Sequence, residues 1–368
     1  MNIVCFGEIL LRLSPPSYAR LAQAQSLEMH FGGAEANVAA CVAQLGAKNE
    51  KAASSTSPDE VRATLVSRLP DNALGDAAVQ FFHALGVNTT HVKRGGERLG
   101  LYFVENGVAL RPSQVIYDRA HSSFADLRCG DVDWNEVLAG ATWLHWTGIT
   151  AALGDNARAL LEEACTVARR LGVKISCDLN YRQKLWTEEQ ARRVMMPLME
   201  YVDCCISNEH DAGICLGIAP PSPSSAAHDS TNDSTNARAE DLYPALAHAM
   251  RERCGFQAVV LSVRSRHEAA LPPHYVAKRA FMMDEAECRD GYFSKEYVFK
   301  AAEHIGGGDA FAGGLLYGIC AETSSRAALE FAVAASVLKQ SIVGDVLRCS
   351  EVEVRRFLEQ SPAQKILR

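Results

Sequence analysis

The chain has 368 residues, of which 48% are apolar and 22% charged, the balance of a soluble globular protein with material for a large core; disorder and collagen-like repeats are excluded. Against 44 Asp and Glu stand 37 Lys and Arg, a net charge of −7 with no basic stripe to follow a duplex, so nucleic acid is not an expected partner. No uninterrupted apolar run of about 18 residues occurs, so no membrane span is expected.

Along the chain, MNIVCFGEILLRL reads as a strand: Glu8 interrupts the apolar run, and neither a cationic leader nor a small-residue cleavage site marks a signal peptide. The irregular stretch 12–31 does not read as core and is expected to be a β piece outside the main sheet. FGGAEANVAACVAQLGA (31–47) is a helix entered through Gly32 and Gly33 and ended at Gly46. The polar tract 47–63 reads as an insertion. Residues 99–119 are β-rich, with Asn106-Gly107 as the expected hairpin turn and no room for a crossover helix, so about 97–120 joins 12–31 as a lid.

From residue 142 onward short apolar runs alternate with helical periods, the pattern of a parallel sheet with crossover helices. TWLHW, VKISCD, VDCCIS and QAVVLSV are its buried strands. Gly172 ends the helix 156–172, and Thr187 with Gln190 forms a capping box that opens the next. Residues 221–238, rich in Ser, Thr, Asn and Asp, read as a second insertion. The 12 cysteines contain no C-x-x-C pair and many lie in apolar runs, so they read as reduced thiols in a reducing compartment. The tail KILR gives no peroxisomal tripeptide, and a cytoplasmic location is the default expectation.

The sharpest chemical signal is EHIGGGDAFAGGLLYGI (303–319). Three glycines ahead of a helix let backbone N–H groups converge on an anion, and the helix dipole adds to the attraction. Asp309 at that mouth has the chemistry of a base for an attacking hydroxyl; equally, the glycines could serve a tight turn and Asp309 a helix cap. Phe311 at the place of a third glycine excludes the dinucleotide fingerprint, and the absence of G-K-[ST] excludes a P-loop. Gly33 and Asn37 suggest a backbone approached by a polyol, although an ordinary helix entry accounts for them as well.

Together FGGAEANVA (31–39) and GGGDAFAGGLLYG (306–318) resemble the two signatures of the ribokinase-like (PfkB) carbohydrate kinases. DLNYRQKLW, SNEHDA, VVLSVR and FAVAASVLKQSIVGD resemble the 2-keto-3-deoxygluconate kinase subgroup. The resemblance implies a three-layer α/β/α sandwich with a mostly parallel central sheet and a small β lid, often shared at a homodimer interface. It further implies ATP and Mg2+ as cofactors, with K+ a further candidate, and ATP-dependent phosphorylation of a sugar acid, foremost 2-keto-3-deoxygluconate to its 6-phosphate. A neutral-sugar kinase of fructokinase or ribokinase type, or a catalytically weak sugar sensor, are the alternatives.

Carried over by position, Asp309 is the base and Gly306, Gly307 and Gly308 the anion hole. Gly33, Asn37, Tyr102, Arg119 and Arg182 fall at substrate positions; Asn208, Ser262, Arg264, Gly306 and Gly308 fall at ATP positions. Asp211 corresponds to the motif acid that acts on the metal through water, but it is one methylene shorter than the usual Glu. Asp118 stands where some relatives carry a second tyrosine, and Glu303 where Asp is usual. The four tryptophans read as core, and no histidine is given a role.

Overall fold

The structure is a computed structural model that describes residues 1–47, 60–108, 110–218, 234–263, 275–322 and 324–359, with backbone alone at 234–240. In chain order its strands are β1 (Asn2–Phe6), β2 (Leu10–Ser14), β3 (Glu28–Gly32), β4 (Arg62–Leu69), β5 (Val92–Arg94), β6 (Gly100–Glu105) and β7 (Gln114–Asp118). There follow β8 (Trp143–Thr147), β9 (Lys174–Asp178), β10 (Cys204–Ser207), β11 (Ala258–Val263), β12 (Tyr275–Asp284), β13 (Tyr292–Phe293) and β14 (Tyr297–Lys300).

The large sheet runs β13-β12-β11-β10-β9-β8-β1-β4-β5, and β14 pairs with β12 off this path. From β5 to β11 every pairing is parallel, while β12 is antiparallel to β11 and to β13. The two-residue period of each strand sends alternate side chains into separate cores. Val4 and Phe6 join Leu144, Trp146, Ile175 and Cys177 under the helices Asp155–Leu171, Glu188–Leu198 and Ser234–Cys254. Ile3 and Cys5 join Trp143, Cys204 and Ile206 under Ala34–Gly46, Gly307–Ala321 and Ser325–Lys339. Burial on both faces explains the continuous apolar runs, and the product is a three-layer α/β/α sandwich.

Local signals sit where their chemistry places them. Thr187 accepts from Gln190 N–H, and the Gln190 side chain answers Thr187 N–H. Gly172 takes the left-handed conformation that closes its helix (φ 73°). The tryptophans are all at least nine-tenths buried. The 12 cysteines are free thiols, mostly buried. Among the described residues no helix is long and apolar enough to cross a membrane.

Three expectations need correction. In the stretch 12–31, β2 and β3 pair within a separate four-stranded sheet, β3-β2-β6-β7, and what departs from the expectation is burial: Arg12 and Ser14 are buried. The partners of Arg12 lie far along the chain, Glu303 and Asp345, so nothing local marks it as buried. The β6–β7 connection is not a two-residue Asn-Gly turn; it spans 106–113, with Gly107 N–H bonded to Ser113 Oγ. Both insertions were drawn too wide. Residues 48–59 and 219–233 lie outside the described residues, but Arg62 opens β4 with Val61 and Ala63 buried beside it, and Ser234 opens a helix. The amphipathic part of that helix buries Tyr243, Leu246, Ala247 and Met250, and its polar first turns continue from it.

Candidate active site

Strand β1 lies in mid-sheet, flanked by β4 and by β8, so the chain departs from it in both directions. At such a switch point crevices form beyond the carboxyl ends of parallel strands. Here a cavity of about 580 Å³ opens there, lined by Glu8 after β1, Ile149 after β8, Asp178 at the end of β9, Asn208 after β10 and Ser262 of β11. The four-stranded sheet covers one end through Leu10, Tyr102, Val104 and Tyr117.

On the opposite wall the Gly307–Ala321 helix begins, with Gly306 as its cap in the left-handed region (φ 78°). Its first intrahelical bond is Ala310 N–H to the Gly306 carbonyl at 2.9 Å, so the N–H groups of Gly307, Gly308 and Asp309 precede it. The three glycines have different reasons. A Cβ on Gly306 would lie 1.9 Å from the Asp345 carbonyl oxygen and one on Gly307 would lie 2.5 Å from Gln340 Nε2, whereas one on Gly308 would meet nothing within 4 Å and would enter the cavity. The first two are packing glycines; only at Gly308 is the space free for a ligand.

Asp309 is the third residue of this helix and not its cap. Its Oδ2 accepts from Asn37 Nδ2 at 2.7 Å, joining helices whose sequences lie 272 residues apart. Burial pushes the Asp309 carboxyl up to about 7, against the pull of the Asn37 bond and of Arg182, and with a further push from Glu35 and Asp345. Gly33 permits this approach, since it enters its helix at φ 137° and a Cβ there would lie 2.1 Å from the Glu8 carbonyl oxygen. Glu35 is fully committed to the fold: its Oε1 accepts from Thr147 N–H, Thr147 Oγ1 and Thr150 Oγ1, which pins the helix to the end of β8.

The remaining positions divide. Arg182 lines the cavity, donates to the Tyr181 carbonyl at 3.1 Å, and sits near enough to Asp309 and Asp178 to oppose, without cancelling, the upward push of burial on both carboxyls. Arg119 also lines it, but Nε and Nη2 both donate to Glu8 Oε2, so its charge is already matched. Tyr102 donates to Asp345. Asn208 caps the Glu209–Leu216 helix by accepting from Asp211 N–H at 2.9 Å, and buried Asp211 accepts from Tyr181 N–H at 3.2 Å. Ser262 lines the cavity, while Arg264 lies outside the described residues.

Among the cavity residues to which the sequence reading gave no role are Glu8, Tyr117, Asp178 and Glu35. Glu8 was legible as the charge that breaks an apolar strand. Tyr117, not Asp118, turns inward, opposite Tyr102 in the β6–β7 register with ring centroids 5.9 Å apart; Asp118 is exposed and pairs with Arg98. Asp178 ends a buried strand, and burial with the charges of Asp211 and Asp309 pushes its carboxyl up to about 7. Glu35 sits in the first turn of the helix that the first glycine signature opens, beside Asn37, and was given no role.

A parallel-sheet crevice holding a partly buried carboxyl at a glycine-capped helix N-terminus, with arginine facing it, defines a site for transfer onto a polar, hydroxylated molecule. The PfkB family carbohydrate kinase model matches residues 1–243, and the chain belongs to this family: it is a carbohydrate kinase. A 2-dehydro-3-deoxygluconokinase from Thermotoga maritima has a crystal structure that is 38% identical, covers 98% of both chains and superposes with a TM-score of 0.84. A 2-dehydro-3-deoxygalactonokinase of Haloferax volcanii is 29% identical over 98% of each chain. A 2-dehydro-3-deoxygluconokinase of Thermoproteus tenax is 27% identical over 94% of this chain and 90% of its own.

Proposed function

We propose that the protein catalyses ATP-dependent phosphorylation of a sugar acid at its terminal hydroxyl, with 2-keto-3-deoxygluconate as the substrate and its 6-phosphate as the product. One observation carries this reading: Asp309, with its carboxyl near 7, shares a cavity with a guanidinium, Arg182, that no described carboxylate neutralises by direct contact in the way Glu8 neutralises Arg119. A substrate with a hydroxyl at one end and a carboxylate at the other meets a base and a cation. The names of the similar proteins point to the same class.

In this mechanism Asn37 orients Asp309, which accepts the proton of the attacking hydroxyl while that oxygen bonds to the γ-phosphorus of ATP and ADP leaves. Charge gathering on the transferring group faces the N–H groups of Gly307, Gly308 and Asp309 and the positive end of the helix. Gly308 leaves room for the phosphates, and Asn208 and Ser262 line the nucleotide end. Asp178 and Asp211 fit a magnesium ion: they are two like charges in one wall, each with its carboxyl raised by burial, a state that a cation relieves. When bound, that ion neutralises phosphate oxygens.

The lid is also the proposed dimer surface. Its outward face carries the cross-strand row Met29, Leu13, Phe103 and Ile116, of which Met29 and Ile116 are about half exposed. Sedimentation of the full chain should give twice the chain mass, and Ile116→Glu should return it to one.

The test of function is ADP release measured over a panel of sugar acids and neutral sugars. Turnover of 2-keto-3-deoxygluconate above all neutral sugars is the expected result. Higher efficiency on fructose or ribose would replace this reading with the neutral-sugar one, and no turnover of any sugar would leave a binding protein.

A further inference from the structure

Behind the glycine turn lies a charged cluster that the mechanism above does not use. Arg12 of β2, Glu303 ahead of the Gly307–Ala321 helix, Lys339 at the end of the next helix in the same layer, Ser325–Lys339, and Asp345 beyond it are each no more than 5% exposed. Arg12 Nη1 lies 3.1 Å from both Glu303 Oε2 and Asp345 Oδ1, and Tyr102 of β6 donates to the other Asp345 oxygen. Lys339 Nζ donates to the Ile342 carbonyl at 3.3 Å.

The lysine is packed onto the turn itself. A Cβ built on Gly306 would lie 3.1 Å from Lys339 Cε. Gly306, Gly307 and Gly308 line the cavity and Lys339 does not, so the turn stands between the ammonium and the cavity. The same helix end grips the turn twice more: Ser336 Oγ donates to the Gly307 carbonyl at 2.7 Å, and the Gln340 carbonyl accepts from the N–H groups of Ala302 and Glu303 at 2.8 and 3.1 Å. A fully buried ammonium is costly, and an apolar side chain would fill the volume more cheaply.

Resting on the phosphoryl-transfer reading, we infer that Lys339 is a positioning residue whose buried ammonium acts as a fixed internal cation behind the anion site, holding the glycine turn and stabilising the charge that gathers on the transferring phosphoryl group without touching it. A charge in a low-dielectric surround acts across several ångströms. The groups that face Lys339 from the surrounding elements are Glu303, Asp345, Arg12 and Asp309. Burial lowers the lysine to about 8 against the opposing pull of Glu303 and Asp345, so the charge is present at neutral pH and is lost as pH rises through that value.

The experiment is steady-state turnover of wild type and Lys339→Met from pH 6 to 10 with saturating ATP and sugar acid. Wild-type kcat should fall on the alkaline side with a midpoint near 8. Lys339→Met should lose roughly tenfold or more in kcat at pH 7, the scale of losing one stabilising charge, with the KM for the sugar acid within about twofold and the alkaline fall absent. A variant that keeps kcat within twofold at pH 7, or keeps the same alkaline fall, overturns the inference. Should Lys339→Met fail to fold, a wild-type kcat that stays level from pH 7 to 9.5 overturns it by itself. A wild type inactive on every sugar would instead strike the kinase reading, whereas an active wild type with an indifferent Lys339 strikes this inference alone.

Discussion

Asp309→Asn isolates the proposed base. Asn keeps the volume, and its amide oxygen can still accept from Asn37 Nδ2, so the helix start and the cavity shape should survive while the proton acceptor is lost. Removing a positioned general base costs on the order of a hundred- to ten-thousandfold in rate, or about 2.7 to 5.4 kcal/mol of transition-state stabilisation. The wild-type pH profile supplies an independent check. Because the Asp309 carboxyl lies near 7 and the base form is the ionised one, kcat should fall as pH drops through that value. About half the enzyme is ionised at pH 7 and roughly a tenth at pH 6, a fivefold loss in rate. Coupled ADP release gives kcat, and calorimetry on the same preparation gives ATP and sugar-acid binding, which should stay within a few fold. A variant keeping a tenth of wild-type turnover, or a wild-type rate unchanged between pH 6 and 7, would refute the assignment.

The other substitutions separate binding from folding. Arg182→Ala should lower kcat/KM for the sugar acid by about ten- to a hundredfold, chiefly through KM, while KM for ATP changes little; Lys at 182 should recover part of it, keeping the charge without the bidentate fork. Equal losses for a neutral sugar would show that no carboxylate is read there. Gly308→Ala adds a methyl group to open cavity space, so its melting temperature should match wild type while KM for ATP rises. Gly306→Ala meets both a positive φ and the Asp345 carbonyl, and should cost about 2 to 5 kcal/mol in urea unfolding; the reverse order of stabilities would mean that the turn is held differently. Glu8→Gln leaves the Arg119 charge unmatched in a mostly buried site and should destabilise by about 3 kcal/mol; an unchanged unfolding midpoint would show the pair to be dispensable.

What the sequence by itself determined are the features whose causes lie within a few residues. A strand buried on both faces is apolar at every position, as in the run Val4–Phe6. A helix start announces itself through Thr187 and Gln190, and a helix end through Gly172. The glycine run before Asp309 was legible because its backbone conformation and its neighbour are both local. From these followed the layered α/β architecture and the expectation of an anion site at one helix N-terminus. Tertiary structure decided which charged residues are buried and which of them meet. Arg12 is buried because Glu303, 291 positions away, folds beneath it, and Arg119, given a substrate position by the resemblance, has its charge matched by Glu8, 111 positions away. Asp309 needs Asn37 from 272 positions away, and Lys339 needs the glycine turn packed on its stem. The physical reason is that the cost of burying a charge is offset only by its partners, and the partners of a buried charge are chosen by the packing of layers, which residue periodicity does not encode.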